Sequence, residues 1–474
     1  QATSGAFIKT GPGTVSYTYP GVNTLTKDQG NYGYVQDGSA NGDSPTAGFA
    51  GFNINQGTVV FGVPRQTNIV NGRIIVGLYT TTNAGAETAG ELVLNEGALF
   101  ATANVGVSWN NGTDVTAGAG GVRSRFTVNG GYFNCPNMSL GLNNANLVNF
   151  NARPIFTQNG GTVVLSGSLV LSESAGAVSE ADLSGGTLKV VSGGNSVRVG
   201  GAGEATMTIG GTAVVDAAQY VRLAEVSGTS SKGLLNLNGG TLIAANILKG
   251  SGTEAVLRFN GGTFCPRTAG QTLSGLTAAY VSTNGAVFDT SLASYTVAQS
   301  LLADPALGGA SDGGLVKLGT NTLAWASSAS TYMGDTVVSN GVLRLFVPLP
   351  SVSLLSVAPG GEALVGGGAT QTVAVSGVAL APGGTLGFAL AADGSTNDRL
   401  SVGSSPSLGG GRIALYLQGT ELPFTRNGTY TLLTYSGADP DASGVEAANP
   451  AFGKTYAFAA GGGALIDGNI QRVL

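Results

Sequence analysis

The sequence predicts an all-β chain wound into a parallel β-solenoid, followed by a β-rich C-terminal region, on three observations. Paired glycines recur as NGGYF at 129–133, NGGTVVL at 159–165, SGGTLKV at 184–190, IGGTAVV at 209–215, NGGTL at 238–242 and NGGTF at 260–264, their first glycines being Gly130, Gly160, Gly185, Gly210, Gly239 and Gly261. So regular a spacing, mostly in the twenties, is that of a solenoid coil, whereas an antiparallel sandwich would turn about every 8–12 residues. After each glycine pair, apolar and polar residues alternate with the period of two of a half-buried strand. The third observation is composition. The chain of 474 residues has 79 glycines, 42% hydrophobic residues and only 10% charged ones, against about 25% charged in ordinary globular proteins. Disordered chains are charged and poor in Val and Leu, so this one is read as folded.

The elements follow in chain order. Residues 1–50 form an N-terminal region that begins with GAFIKTGPGTVSY at 5–17 and continues into loop-like sequence, NYGYVQDGSANGDSP. The solenoid spans 51–346. Looser versions of the glycine corner open it at Asn55 (NQGTVVF) and Asn95 (NEGALF) and close it at Asn284 (NGAVF) and Asn340 (NGVLRL). In 234–250, Leu235, Leu237, Leu242 and Ile247 are expected to face one core. No coil can bury that face alone, so neighbours stack at about 4.8 Å per coil, and about twelve coils would make a rod of roughly 60 Å. A longer insertion at 106–122, VSWNNGTDVTAGAGG, reads as a projecting loop. Pro348, Pro350 and Pro359 mark a change of texture, and 347–474 is read as a β-rich region in which VAPGGEAL from Val357 and LAPGGTL from Leu380 continue the coil spacing.

The opening segment returns three hundred residues later. GAFIKTGPGTVSY aligns without a gap on GGLVKLGTNTLAW at 313–325, sharing Gly5 with Gly313, Lys9 with Lys317, Gly11 with Gly319 and Thr14 with Thr322. The longer stretch 313–345 closely resembles the autotransporter-associated β-strand repeat, also called the passenger-associated transport repeat. The matching positions are Lys317, Gly319, Thr322, Leu323, Tyr332, Gly334, Thr336, Val338, Gly341 and Leu343, with Asn321 and Ser330 as departures. The resemblance implies a right-handed β-helix, secreted and displayed on the surface of a Gram-negative bacterium. A membrane barrel of about 250–300 residues has no room in this sequence, so a free-standing member is expected. The N-terminal segment resembles the first half of the same repeat. Its second half is displaced or missing, with GTVVFG at 57–62 as a substitute.

Chemistry is sparse. There is no histidine, which removes Ser-His-Asp and Cys-His machinery and His-based metal sites. The acids Asp37, Asp43, Asp393, Asp398, Asp439 and Asp441 stand in Gly-Ser-Asn contexts and read as turn residues. DGSANGD at 37–43 offers oxygen ligands but lacks the bidentate Glu of a calcium loop, and GGNSVRVGG at 193–201 lacks the Asp of a calcium nonapeptide. No catalytic residue, cofactor or metal site is therefore assigned. Cys135 and Cys265, each just before a proline, are read as small buried residues not bonded to one another. A net charge of −5 with 21 scattered basic residues offers no footprint for nucleic acid, and no apolar run is long enough to span a membrane as a helix. Gln1, in place of an initiator Met, is read as the end of a mature secreted chain.

Three functions fit this sequence. The first is an extracellular structural protein that self-assembles head to tail into a surface or matrix filament, with itself as partner. Residues 5–19, carrying Phe7, Ile8, Val15, Tyr17 and Tyr19, would be donated to the next subunit's sheet. The alternative is that this segment forms the first coil of its own rod. The second function is a monomeric adhesin or autotransporter-type passenger, which would carry an aromatic patch such as Tyr32, Tyr34 and Trp109 and could take surface polysaccharide. The third, a β-helical polysaccharide lyase or hydrolase, would bring two carboxylates, or a carboxylate and an arginine, into one cleft.

Overall fold

The structure is a computed structural model that describes residues 7–9, 12–17, 22–25, 51–54, 57–79, 90–110, 123–143, 151–191, 197–227, 230–461 and 465–472. Among these the chain is nearly all strand, with one short 3₁₀ turn at Pro305–Leu307 and no helix long and apolar enough to cross a membrane. It is a parallel β-helix, divided into two compact units, Gln1–Leu257 and Arg258–Leu474.

The first unit is built from coils of three strands, one in each of three parallel sheets. The first coil is β1 (Phe7–Lys9), β2 (Thr14–Tyr17) and β3 (Val22–Leu25); the second is β4 (Gly51–Ile54), β5 (Gly57–Phe61) and β6 (Thr67–Val70). β1 pairs with β4, β2 with β5 and β3 with β6, all in parallel. The same three-way order continues to Tyr220–Leu223, Lys232–Asn238 and Thr241–Ala244. In the third sheet Tyr132 lies beside Thr162, then Thr187, Val214 and Thr241, so one coil carries the chain from each glycine pair to the next. The period of the motif is the length of the coil.

The core follows from the alternation. Along the second sheet Leu92, Phe126, Phe156, Ala181, Met207 and Leu235 occupy one register column and all are buried. Leu235, Leu237, Leu242 and Ile247 are each at 0% exposure, as their spacing predicts. Phe126 meets Phe133 edge-on at 4.9 Å and Phe156 at 5.6 Å between ring centroids. Each fully buried side chain of this size stabilises the stack by about 1.5–3 kcal/mol.

The Asn-Gly-Gly motif acquires a structural meaning at the corner between the second and third sheets. Asn129 donates its amide to Asn95 at 2.8 Å, Asn159 donates to Asn129 at 2.8 Å, and Ser184 donates to Asn159 at 2.9 Å, a side-chain ladder one rung per coil. The second glycine of each motif stacks beneath it. The N–H of Tyr132 donates to Gly97 O, that of Thr162 to Gly131 O and that of Thr187 to Gly161 O. Between the first and second sheets runs another column of left-handed residues, Gly77, Ser108, Gly141, Ser172, Gly200 and Ala224, with φ from 52° to 78°. Ser172 holds that conformation by exchanging bonds with Ser179, N to Oγ at 2.9 Å and back at 2.8 Å.

In the second unit the stack tightens. Leu315, Thr336, Leu355 and Val378 are successive ladder partners, closer together in the sequence than Thr162, Thr187 and Val214 of the first unit. A parallel ladder passes from Gly341–Leu345 to Gly361–Val365, Thr385–Leu390 and Arg412–Leu417, so the change of texture at 346 is not a break in stacking. A separate mixed sheet finishes with two antiparallel pairings, Gly428–Tyr435 with Leu465–Arg472 and the latter with Lys454–Gly461.

Both cysteines are free and buried, Cys135 at 0% and Cys265 at 7% exposure. Burial pushes both thiols up, Cys265 to about 11 with the Asp289 carboxylate adding to the shift. Because the thiolate is the nucleophile, native protein at pH 8 is expected to react with a disulfide reagent at least 100-fold more slowly than in denaturant. Stoichiometric labelling of the native chain within a minute would contradict this placement.

Candidate functional site

The two related segments lie in different sheets but pair in the same relative register with the strands that follow them. Phe7, Ile8 and Lys9 pair with Phe52, Asn53 and Ile54; Leu315, Val316 and Lys317 pair with Thr336, Val337 and Val338. Thr14–Tyr17 lies against Thr58–Phe61 as Thr322–Trp325 lies against Val342–Leu345. Gly57 and Gly341 open the answering strands with φ of 72° and 65°. The strands that answer β1 and β2 are therefore residues 51–61, and the sequence between, which includes β3, separates them from the opening segment.

Residues 7–9 and 14–17 lie in the first coil of their own rod, the alternative to their donation to another subunit. Within the chain Phe7 and Ile8 are in the ladder, and Val15 and Tyr17 are half-buried. Tyr17 stacks on Phe61 at 4.7 Å and tilts against Phe52 at 6.4 Å, and its partial burial pushes the phenol up. Tyr19 lies outside the described residues. Pairing uses one side of each strand only. Among the described residues no strand lies on the outer edges of β1, β2 and β3, which end their three sheets. Thr58 donates to Gly13 O at 3.2 Å, so Gly13, Val15 and Tyr17 address β5 while Thr14 and Ser16 address the open side. A second open edge is Lys454–Gly461, the last strand in the order of the mixed sheet, preceded by the fully exposed Phe452.

The repeat residues in the second unit converge on an architectural centre. Lys317 is fully buried and its Nζ donates to Leu318 O at 2.8 Å, Gly319 O at 2.7 Å and Asn340 O at 2.8 Å. Burial pulls its pKa down to about 8, opposed by the Asp289 carboxylate. Gly319 is left-handed at φ 79° and leads to Thr322 and the buried Leu323. Tyr332 is buried edge-on to Trp325 at 5.9 Å and bonds Thr336 Oγ1 at 2.6 Å, with Ser353 next in the chain at 2.8 Å. Gly334 N donates to Asp312 Oδ1 at 2.9 Å, and Asp312 also accepts from Gly314 N and Met333 N. Asp312 and Asn340 were missed by the sequence reading, since nothing in their local context marks them as hubs. The polar groups of Lys317, Tyr332 and Asp312 are spent on bonds within the fold.

The other expectations resolve individually. Trp109 is buried at 3% exposure, against Ile75 and Leu142 with Arg73 5.1 Å from its ring, so it is no adhesive patch. Tyr32, Tyr34, Asp37 and Asp43 lie outside the described residues. Asp393 and Asp441 accept from the N–H two residues on, as turn acids do. Asp398 departs from that reading. It is fully buried, accepts from Gln371 N at 2.8 Å and Ala389 N at 3.0 Å, and is pushed up to about 6 by burial. No group of three or more Cys, Asp or Glu residues poised for a metal occurs among the described residues.

One cleft in the second unit, about 390 Å³, is lined by Arg344, Leu364, Tyr416, Thr420 and Glu421. Behind it Tyr416 donates its hydroxyl to Glu362 Oε1 at 2.9 Å. An arginine and carboxylates therefore do meet, through residues that the sequence reading passed over. The only signal for them was a charged residue on the outward-facing side of successive strands, GVLRL and GEALV, in a chain with few charges.

No protein-family model matches the chain, and no curated protein matches it. The class defined by its fold is the parallel β-helix.

Proposed function

We propose that the protein is an extracellular structural protein that assembles with copies of itself, head to tail, into a surface or matrix filament. The observation that carries this reading is the open first coil, where three adjacent parallel strands end their sheets with no described strand on their outer side. A row of unpaired N–H and C=O groups is a template for another chain's strand. The edge strand Lys454–Gly461, with Phe452 beside it, supplies a segment of suitable length on the other part of the chain. One such heterologous contact, repeated, gives an open fibre, and a charged fraction of 10% leaves little repulsion to oppose it. Because β1 and β2 are already paired on one side, the favoured mode is that they receive a strand rather than leave their own coil to donate one.

The test is electron microscopy and light scattering across concentration, with the full chain and with a Thr14→Pro/Ser16→Pro variant. Both prolines remove N–H groups from the open side and spare the ladder to β5. Fibres are expected from the parent chain, and a folded species at least tenfold shorter, or monomeric, from the variant. A parent chain that stays monomeric at high concentration overturns the filament. Fibres of normal length from the folded variant overturn this edge as the contact.

A further inference from the structure

We propose that the cleft on the outward side of the eight-stranded sheet in the second unit is a binding site for neutral carbohydrate, a short stretch of an uncharged polysaccharide. The cleft arises from register. Arg344, Leu364 and Gly387 are consecutive ladder partners, and Ala389 partners Tyr416 one step along, so four coils place their outward residues side by side. Gly387 lets three side chains pack over its strand: a Cβ there would stand 2.4 Å from Glu362 Oε1, 2.8 Å from Leu364 Cδ1 and 3.2 Å from Tyr416 Cε2, so a side chain at this position would push Leu364 and Tyr416 out of their places in the lining. Gly366 and Gly367 also line the cleft, and side chains pack closely against both: a Cβ at Gly367 would strike Phe346 at 2.1 Å and one at Gly366 would strike the buried Asp398 at 2.4 Å.

The polar groups fit hydroxyls better than ions. Arg344 lines the cleft and brings a guanidinium, a donor only, to it. Glu421, in the same lining, adds a carboxylate acceptor, and Tyr416 is held by donating its hydroxyl to Glu362. Adjacent sugar hydroxyls both donate and accept, so one diol can satisfy a guanidinium and a carboxyl together. Charge argues against an anionic ligand, because Glu362 and Glu421 outnumber the single guanidinium. Burial pushes the Glu362 carboxyl up, opposed by the hydrogen bond from Tyr416 and the charge of Arg344. Leu364 and Tyr416 in the lining offer a partly apolar surface for the face of a ring, and the volume falls in the range of about 300–1,000 Å³ usual for small-ligand sites.

The experiment is calorimetric titration of the full chain with neutral hexamers of β-1,4-glucose, β-1,3-glucose and xylose, and with oligogalacturonate as the charged comparison. At least one neutral hexamer is expected to bind with a dissociation constant below about 1 mM, on the scale of single-site lectin-like contacts, without release of reducing ends. Arg344→Ala and Gly387→Val, each checked for native circular dichroism, are expected to weaken it at least tenfold. If either variant misfolds, Thr420→Trp at the exposed lip provides a third way of closing the cleft. No binding of any neutral hexamer at about 10 mM, binding of oligogalacturonate alone, or binding unchanged in the folded variants overturns the proposal. Filament length is measured on the same samples, so failure of the sugar site is distinguishable from failure of assembly.

Discussion

Replacing Lys317 with alanine is expected to destabilise the second unit by about 3–5 kcal/mol, read as a fall in urea midpoint at unchanged slope. The side chain is fully buried and its ammonium serves three carbonyls, two in the turn after its own strand and one, Asn340, in the turn of the next coil. A hydrogen bond to a charged group contributes about 1.5–3 kcal/mol, and its loss leaves the carbonyls dry as well. Against this stands the cost of holding a cation out of water, which burial expresses by drawing its pKa to about 8. Methionine, which fills the space without donating, is expected to recover less than half of the loss. A change under about 1 kcal/mol for Lys317→Ala would mean that the carbonyls find water and that the lysine does not organise the turn.

Gly161→Val is expected to cost about as much in the first unit, roughly 3–5 kcal/mol, for a different reason. Gly161 has φ of 68°, where a β-branched residue is strained by about 1–2 kcal/mol. Space is the larger problem. A Cβ would stand 2.5 Å from Gly131 O and 2.6 Å from Gly130 C, both backbone atoms of the preceding coil that cannot turn aside. Coils must therefore part locally, breaking the bond from Thr162 N to Gly131 O and the Asn129–Asn159 rung beside it. Gly270→Ala is the control: its φ is 76° but nothing lies within 4 Å of the new carbon, so only the conformational cost of about 1 kcal/mol should appear. Equal effects at the two positions would show that dihedral strain, not stacking, accounts for the glycines.

Much of the fold was legible because a solenoid repeats its physics. The glycine period is the coil length, the alternation is the inward and outward face, and the match between 5–17 and 313–325 is an identical ladder register. The partner of the opening segment was legible only in part, since the long stretch 18–50, which holds β3, hides that the strand opened by Gly57 pairs with Thr14–Tyr17 as the one opened by Gly341 pairs with Thr322–Trp325. The corner after the first sheet was not legible. Ser108, Ser172 and Ala224 share it with glycines, and left-handed backbone at a serine or alanine leaves no local mark.

What the sequence determined by itself, then, is what each coil needs locally: where the chain must turn left-handed, which residues face inward, and how far the chain runs before it completes a turn. What only the tertiary structure decided is which side chains meet from different coils. Arg344, Leu364 and Tyr416 stand apart in the sequence and share a cleft because parallel stacking sets residues of successive coils side by side. Asp398 reads as a turn acid among Ser and Asn, yet two neighbouring segments close over it and make it a buried acceptor for Gln371 and Ala389. Contacts of this kind depend on small differences in coil length, such as the longer step from Leu355 to Val378 after the shorter one from Thr336 to Leu355. Because side chains alternate faces along a strand, a shift of register by a single residue would turn every outward side chain inward and give it different neighbours.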